Sequence, residues 1–361
     1  MKYISKYSII IASFIIISCK NNRDKGPDNG QQVDDYTAKI DSLIQTANPR
    51  KFNGVILITQ NGETKYSRAY GYSDFDSKEP ISIKDNFRIQ SNSKQITAVI
   101  ILKEVESGKI DLNSPIKAYL PEIKQTWADT VTVHQLLNMS SGIVAIDKPL
   151  IFKPGTGFHY SNPAYWLLGK IIQNVTGKKF TEVANNLFEE LQMNDTYCYE
   201  IGKNHNRLVN GYEIDEDNFK LLEFSSFGFT KEQWIDFIPA GGIISNVQDL
   251  NIWDVNLHNG KILKPETYKS MTSSDVPDIH KAFSDEKITY GYGINFSDNT
   301  AIKYIGHAGR GMGFSSLKLY VPAKRVDVIV LENVYNSNES IIYYFEKKIR
   351  EIVMESSLMG E

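Results

Sequence analysis

The chain has 361 residues, of which 41% are hydrophobic and 11% aromatic, so it can bury the core of one large domain or of two closely packed ones. Its formal net charge of −3 excludes the positive surface on which DNA- and RNA-binding proteins depend, and we expect no nucleic-acid partner.

The first residues follow the order of an export signal. Two lysines precede an apolar run, residues 9–17, and small residues follow it. The run is too short to span a bilayer stably, although an anchor that is never cleaved is the alternative. Ile16-Ile17-Ser18-Cys19 resembles the lipobox of bacterial lipoproteins. The resemblance implies a signal peptide over residues 1–18, a lipid on Cys19 that anchors the protein to the membrane, and export to the bacterial cell envelope.

The next segment has the composition of a tether. Residues 19–34 are mostly Asn, Asp, Gly, Gln and Lys, which cannot bury apolar surface, so we expect a flexible tether before a folded domain over residues 35–361. Cys198 is the only other cysteine, so no intramolecular disulfide can form once Cys19 carries a lipid. Because Cys198 belongs to no paired motif, we interpret it as a packed or partly exposed thiol and not as a nucleophile.

Helical and extended patterns alternate along the folded part. A short helical pattern at 36–46 precedes two strand patterns, 54–59 and 64–70, which flank an Asn-Gly hairpin turn. The apolar run 96–102 has helix formers on both sides and predicts a buried helix beginning at Ser91. The later patterns predict helices at 132–138, 163–175, 180–191 and 246–257, strands at 301–306, 314–321 and 326–331, and a last helix at 339–354.

Strand patterns at both ends and a helical middle predict an α+β fold. One antiparallel sheet is built from both chain ends and flanked by helices, and a mainly helical lobe, roughly residues 112–285, is inserted between its halves. We expect the functional site in a cleft between sheet and lobe.

Ser91 and Lys94 form a Ser-x-x-Lys pattern at the start of the buried helix. A hydroxyl is a poor nucleophile until a base removes its proton, and this spacing places an amine one helical turn away. The helix N terminus also favours developing negative charge nearby. A plain helix cap is the alternative for Ser91. Three other serines precede a lysine at this spacing, but their surroundings predict a cap, a polar loop and a strand: Ser114, Ser284 and Ser315.

A second pattern, Tyr160-Ser161-Asn162, lies between a glycine-containing loop and Pro163 at a predicted helix start. A tyrosine close to a lysine can exchange protons with it, and an asparagine amide can bind a substrate carbonyl or amide. Ordinary packing of Tyr160 and helix capping by Asn162 are the alternative.

A third pattern, Gly-His-Ala-Gly-Arg-Gly at residues 306–311, lies at the end of a predicted strand. Small residues let a backbone approach a ligand closely, and a strand edge can offer an N–H group to an oxyanion. A glycine-rich turn with a polar histidine is the alternative.

In their order and spacing, the three patterns resemble the motifs of the penicillin-recognising serine hydrolases. The likeness is to the subgroup of class C β-lactamases, DD-carboxypeptidases and related esterases, and it covers roughly residues 50–335. It implies a β-lactamase/transpeptidase-like fold and an acyl-enzyme on Ser91, with Lys94 and Tyr160 as proton acceptors. It assigns the oxyanion hole to the backbone N–H groups of Ser91 and Arg310, and substrate binding to Asn162, His307, Gly309 and Arg310.

Two positions depart from that family pattern. Ala308 lacks the hydroxyl that relatives commonly use to hold a substrate carboxylate, so we expect β-lactams to be poor substrates and small uncharged esters to be better ones. Met139 stands where many relatives have histidine, which we expect to alter packing only.

Other enzyme classes lack their signatures here. The six histidines form no metal-binding motif, and no phosphate-binding loop or α/β-hydrolase nucleophile elbow is present, so we expect neither a metal nor a cofactor. The sequence therefore predicts a serine hydrolase of the cell envelope that cleaves ester or amide bonds in small-molecule or peptide substrates, D-amino-acid peptides included. The alternative is a catalytically silent envelope protein that binds peptidoglycan fragments or a partner.

Overall fold

The computed structural model describes residues 34–215, 218–274, 276–278, 281–283, 285, 287–297 and 302–360. The predicted signal peptide, Cys19 and Ser284 lie outside these residues, as does nearly all of the predicted tether. One compact unit spans Asp35–Glu361.

Its helices and strands alternate as follows. The α-helices are α1 (Thr37–Ile44), α2 (Ser93–Glu106), α3 (Val133–Leu137), α4 (Asn162–Thr176), α5 (Phe180–Glu190), α6 (Lys231–Gly241), α7 (Val247–His258), α8 (Pro265–Met271) and α9 (Tyr344–Met354). The strands are β1 (Gly54–Gln60), β2 (Glu63–Tyr70), β3 (Tyr72–Asp74), β4 (Glu79–Pro80), β5 (Phe87–Arg88), β6 (Tyr197–Cys198), β7 (Tyr212–Asp215), β8 (Asn218–Leu221), β9 (Ile243–Ser245), β10 (Pro277–Asp278), β11 (Ile288–Tyr290), β12 (Asn295–Phe296), β13 (Ile305–Gly311), β14 (Phe314–Val321), β15 (Val326–Glu332) and β16 (Val334–Tyr335).

Both chain ends build the largest sheet, which confirms the predicted fold class. In the described residues it has eight strands in the order β10-β11-β12-β13-β14-β15-β1-β2, and the paired strands are antiparallel. The pairing of β1 with β15 joins Gly54 to Glu332. The β1–β2 hairpin turns at Asn61 and Gly62, whose φ angles of 54° and 81° are those of a type I′ turn.

Burial explains which strands are central. All residues of β14 and β15 are buried, because both faces of these strands are covered. The edge strand β2 is mostly exposed and carries charged side chains, which discourage pairing with another chain.

Helix α2 lies in the larger hydrophobic core. Its first ten residues are all buried, and it contacts α4, α5, α6 and α8. A helix that is covered on every side has no polar face, which is why its sequence is an apolar run without helical periodicity. The surrounding helices therefore fix the position of its first turn.

A second core contains residues of α1, α9 and the sheet, and a buried ion cluster lies beside it. Nη1 and Nη2 of Arg50 each donate to Glu332 at 2.7 Å, and Nη2 also lies 3.3 Å from Glu346. Burial, reinforced by the neighbouring Glu332, raises the pKa of Glu346 to about 8. One of the two acids is therefore protonated near neutral pH, and the single guanidinium faces a single carboxylate.

Several predicted boundaries are wrong for identifiable reasons. The strand predicted at 301–306 begins at Ile305 and continues through the glycine-rich third pattern, because pairing with β14 overrides the low strand propensity of glycine. The last helix begins at Tyr344 and not at residue 339, because Asn336 and Asn338 accept backbone N–H bonds in turns that compete with a helix. The sequence patterns also missed α6, which contains Pro239, and the short α8.

Candidate active site

Ser91 lies in the short 3₁₀ turn that leads into α2. Its neighbour Gln90 has a left-handed φ of 50°, a strained conformation for a residue with a side chain. Two hydrogen bonds hold the turn: Gln90 Nε2 donates to the carbonyl oxygen of Gly311 at 2.8 Å, and Asn92 Nδ2 donates to Ser316 Oγ at 2.9 Å. Both acceptors belong to the β13–β14 hairpin, so the sheet fixes Ser91.

The amine of Lys94 reaches Ser91 from the first turn of α2. Its Nζ lies 3.2 Å from Ser91 Oγ, and it donates to Asn162 Oδ1 at 2.8 Å and to the carbonyl oxygen of Ala240 at 2.7 Å. Those two carbonyl oxygens can only accept, so they occupy two N–H bonds and leave the third position of the nitrogen for the serine hydroxyl. Lys94 is completely buried, and burial lowers its pKa well below the usual value. Burial thus favours the neutral form of the amine, whose lone pair can accept the Ser91 proton.

Tyr160 contacts both of these groups. Lys94 Nζ lies 4.8 Å from the centroid of its ring, and Tyr160 and Ser91 line the same cavity. Burial raises the pKa of Tyr160 by more than the neighbouring Ser91 side chain lowers it, so the phenol keeps its proton. The geometry therefore favours Lys94 as the first proton acceptor and Tyr160 as a donor.

The start of α4 positions Tyr160 and Asn162. Ser161 caps the helix, its Oγ accepting from the N–H group of Ala164 at 3.1 Å. The N–H group of Ser161 itself donates to the sulfur of Met139 at 3.2 Å. Met139 thus supports the loop that carries Tyr160, and the Asn162 amide is left to bind Lys94 and not to cap the helix.

The strand β13 passes so close to the Ser91 turn that only glycine fits at position 309. A Cβ atom on Gly309 would lie 2.5 Å from the carbonyl oxygen of Ile89. His307 on the same strand is completely buried, with Nδ1 2.6 Å from the carbonyl oxygen of Ala308 and Nε2 3.2 Å from the Tyr290 hydroxyl. These contacts tie the strand to its surroundings.

The N–H group of Arg310 is directed away from β14. The two-residue turn between β13 and β14 has positive φ at both positions, so the pair that closes it is hydrogen bonded and the next pair, Arg310 with Ser315, is not. The strand β13 contacts the turn that carries Ser91. This arrangement is compatible with an oxyanion hole formed by the N–H groups of Ser91 and Arg310.

Ser91 and Tyr160 line a cavity of about 270 Å³. Arg310 lines it as well, and its Nη2 lies 2.5 Å from Oε1 of Glu339, with both side chains partly exposed. Among the described residues, Ala308 and Tyr343 also line the cavity. Its described lining includes two cationic and two anionic residues: Arg310, Lys281, Asp278 and Glu339.

The four predicted substrate-binding residues do not all line the cavity. Arg310 lines the cavity, whereas Asn162, His307 and Gly309 lie outside its lining. No sequence signal pointed to Glu339 or Lys281, because each comes from a segment without a recognisable motif.

The competing residues have structural contacts. Ser315 Oγ donates to the carbonyl oxygen of Val334, whereas Lys318 is paired with Asp254. The two side chains therefore contact different groups. Cys198 is buried, and burial raises the pKa of its thiol, which keeps it protonated.

The described ranges contain no group of three or more His, Cys, Asp or Glu side chains arranged to hold a metal ion. In the same ranges, no helix has both the length and the apolar character needed to cross a membrane.

Comparison with known proteins identifies the family. The profile of the Beta-lactamase family matches residues 40–345. Protein flp of Staphylococcus aureus is 27% identical over an alignment of 305 residues that covers 77% of this chain and 59% of flp, so the chain spans about three fifths of the length of that relative. A penicillin-binding protein homologue from Pyrococcus abyssi has a TM-score of 0.75 at 26% identity, covering 90% of this chain and 78% of that one. A D-amino acid amidase from Ochrobactrum anthropi SV3 has the same fold, with a TM-score of 0.73 at 22% identity over 88% of this chain and 99% of that one. The match over residues 40–345 shows that this chain belongs to the Beta-lactamase family.

Proposed function

We propose that this chain forms an acyl-enzyme on Ser91 and cleaves ester or amide bonds, D-amino-acid peptides included, in the bacterial cell envelope. The observation that carries the proposal is the 3.2 Å approach of the buried Lys94 amine to Ser91 Oγ, beside a cavity large enough for a small substrate. The envelope location rests on the lipobox-like segment that ends at Cys19.

The proposed reaction begins with transfer of the Ser91 proton to Lys94 as Oγ attacks the substrate carbonyl carbon. The N–H groups of Ser91 and Arg310 bind the resulting oxyanion; in other enzymes, loss of one such donor lowers kcat by about 10²–10³. Tyr160 donates a proton to the leaving alcohol or amine, and Lys94 restores it. Water then attacks the acyl-enzyme, and the same groups work in reverse to release the acid and the Ser91 hydroxyl.

The charges around the cavity support a substrate derived from an amino acid. Arg310 and Lys281 can attract a carboxylate, whereas Asp278 and Glu339 can attract an ammonium group. The fold shared with a D-amino acid amidase is in keeping with this class. Because Arg310 is already paired with Glu339 and Ala308 offers no hydroxyl, a β-lactam carboxylate is held less well than in relatives with a threonine there.

The test is covalent labelling with a fluorescent serine-directed probe, combined with hydrolysis assays on esters, D-amino-acid amides and peptides. Ser91→Ala should abolish labelling and turnover without unfolding the chain, since it removes one oxygen. Ser114→Ala is the matched control, because Ser114 also precedes a lysine by three residues but lies elsewhere. A wild-type chain that is neither labelled nor active on any substrate would instead be a catalytically silent envelope protein, and residual labelling of Ser91→Ala would move the nucleophile to another residue.

A further inference from the structure

Arg88 lies three residues before Ser91 but takes no part in the chemistry described above. It is in strand β5, and only 7% of it is exposed. Its guanidinium lies over three aromatic rings, at 3.9 Å from the centroid of Tyr199, 4.6 Å from that of Phe224 and 5.9 Å from that of Trp234. Such stacking offsets part of the desolvation of a buried cation.

Within the described part of the chain, no acidic side chain is paired with Arg88. Among the described residues, its Nη1 has no hydrogen-bond partner. Burial lowers the pKa of Arg88, and the neighbouring groups that oppose this effect are tyrosines. The guanidinium nevertheless stays charged, because an arginine does not lose its proton in proteins. The contrast is Arg50, which is equally buried but faces two glutamates.

Arg88 also lines a cavity of about 240 Å³ whose lining residues differ from those around Ser91. Two further basic residues, Lys203 and His205, line this second cavity, and Glu223 is the one acid among its described lining residues. Nε2 of His205 donates to the carbonyl oxygen of Glu200 at 2.9 Å, which holds the ring at the cavity. Lys203 Nζ is paired with Glu200 at 2.8 Å, so among the described lining residues Arg88 is the cation that an entering anion would meet without an acidic partner.

We propose that this second cavity binds a small carboxylate, which pairs with the Arg88 guanidinium. The flat guanidinium fork matches the two oxygens of a carboxylate, and a partner anion offsets a burial that is otherwise costly. The volume is several times the ~30 Å³ that one water occupies, so an acid of amino-acid size can enter. This site is separate from the proposed hydrolase centre and does not depend on its activity.

The experiment is calorimetric titration of the intact chain with sodium acetate. Acetamide serves as the uncharged isostere, and sodium chloride controls for ionic strength. Acetate should bind with a dissociation constant on the order of 1 mM, and acetamide and chloride should not bind. Arg88→Met, which keeps the side-chain length but removes the fork, should weaken acetate binding by at least about tenfold. Arg310→Met is the matched control, because Arg310 is the guanidinium in the cavity around Ser91.

The outcomes separate the two cavities. Acetate binding that survives in Arg310→Met and is lost in Arg88→Met supports the proposal, and the reverse pattern overturns it by assigning the anion to the Ser91 cavity. Wild-type chain that shows no acetate-specific heat also overturns it. Circular dichroism checks the fold of each variant. If Arg88→Met does not fold, Arg88→Lys takes its place, because it keeps the charge but loses the guanidinium fork. An affinity for acetate as high as that of wild type in Arg88→Lys would refute pairing with the guanidinium.

Discussion

Replacing Asn162 with aspartate should shift the acidic limb of the pH–rate profile to higher pH. Oδ1 of Asn162 accepts from Lys94 Nζ at 2.8 Å, so a carboxylate in its place sets a full negative charge against the amine. At that separation the attraction is about 1.5 kcal/mol with the dielectric constant of water and about 6 kcal/mol with an effective value near 20. With about 1.36 kcal/mol for each pKa unit, the pKa of Lys94 should rise by about one to four units. The neutral amine, the proposed acceptor of the Ser91 proton, then becomes scarcer at any given pH.

The assay is kcat/KM for an activated acetate ester, measured across the pH range in which wild type and variant both stay folded. Asn174→Asp is the matched control, since Asn174 is exposed on the same helix and twelve residues further along. That spacing places the new charge about 18 Å from the first along the helix axis, beyond a Debye length of about 8–10 Å. The control should leave the limb where it is. If the limb of Asn162→Asp coincides with that of wild type, Lys94 is not the group whose titration limits the reaction.

Four further outcomes are expected. Tyr160→Phe and Lys94→Ala should each lower turnover by several orders of magnitude, and the double variant should lower it by little more, because both groups act on one proton. Single-turnover kinetics measure these rates. If Tyr160→Phe turns over as fast as wild type, Tyr160 has no part in the mechanism. Burial raises the folded-state pKa of Glu346 from 4.5 to about 8, so its stabilising contribution is complete below pH 4.5 and is lost as pH rises through 8. Urea unfolding at several pH values should show this loss in wild type and not in Glu346→Gln, and equal pH dependence in both would contradict the assignment. Ala308→Thr should raise kcat/KM for a chromogenic cephalosporin relative to an activated ester by roughly ten- to a hundredfold, and a wild type that already prefers the cephalosporin would refute the inference from Ala308. Cys19→Ser should be exported poorly or released without lipid, which cell fractionation measures; a variant that stays in the membrane fraction must be held by an uncleaved segment or a partner.

Sequence patterns could predict those parts of the fold whose structure is determined by residues close together in the chain. The first hairpin needed only an Asn-Gly turn between two strand patterns, and α2 needed only an apolar run with helix formers. Helix α6 was hidden because Pro239 interrupts its pattern, although Thr230 and Gln233 form a capping box at its start. Boundaries failed where tertiary pairing decided them, as at the start of β13.

The candidate site divides in the same way. The Ser91-Lys94 spacing follows from helix geometry, and motif order could add Tyr160. Sequence could not reveal that the carbonyl oxygen of Ala240 completes the contacts of the amine, because any residue supplies a carbonyl and only the fold brings α6 to that point. Nor could it reveal that Glu339 pairs with the guanidinium of Arg310 in the third pattern, because that contact joins two parts of the chain without a shared motif.

The pairing of β1 with β15 has a consequence for biogenesis. Synthesis begins at the N terminus, so β1 and β2 can form their hairpin early, while the other edge of β1 stays open until the strand that ends at Glu332 has emerged. An open edge made of apolar residues is a template for association with other chains, which a growing polypeptide must avoid for most of its synthesis. The Ser91 turn is also unfinished during that time, because its acceptors on Gly311 and Ser316 belong to the late hairpin. A ribosome-bound fragment that ends before Gly311 therefore carries Ser91 without its supports, and the proposed acylating chemistry is withheld until the β13–β14 hairpin has emerged.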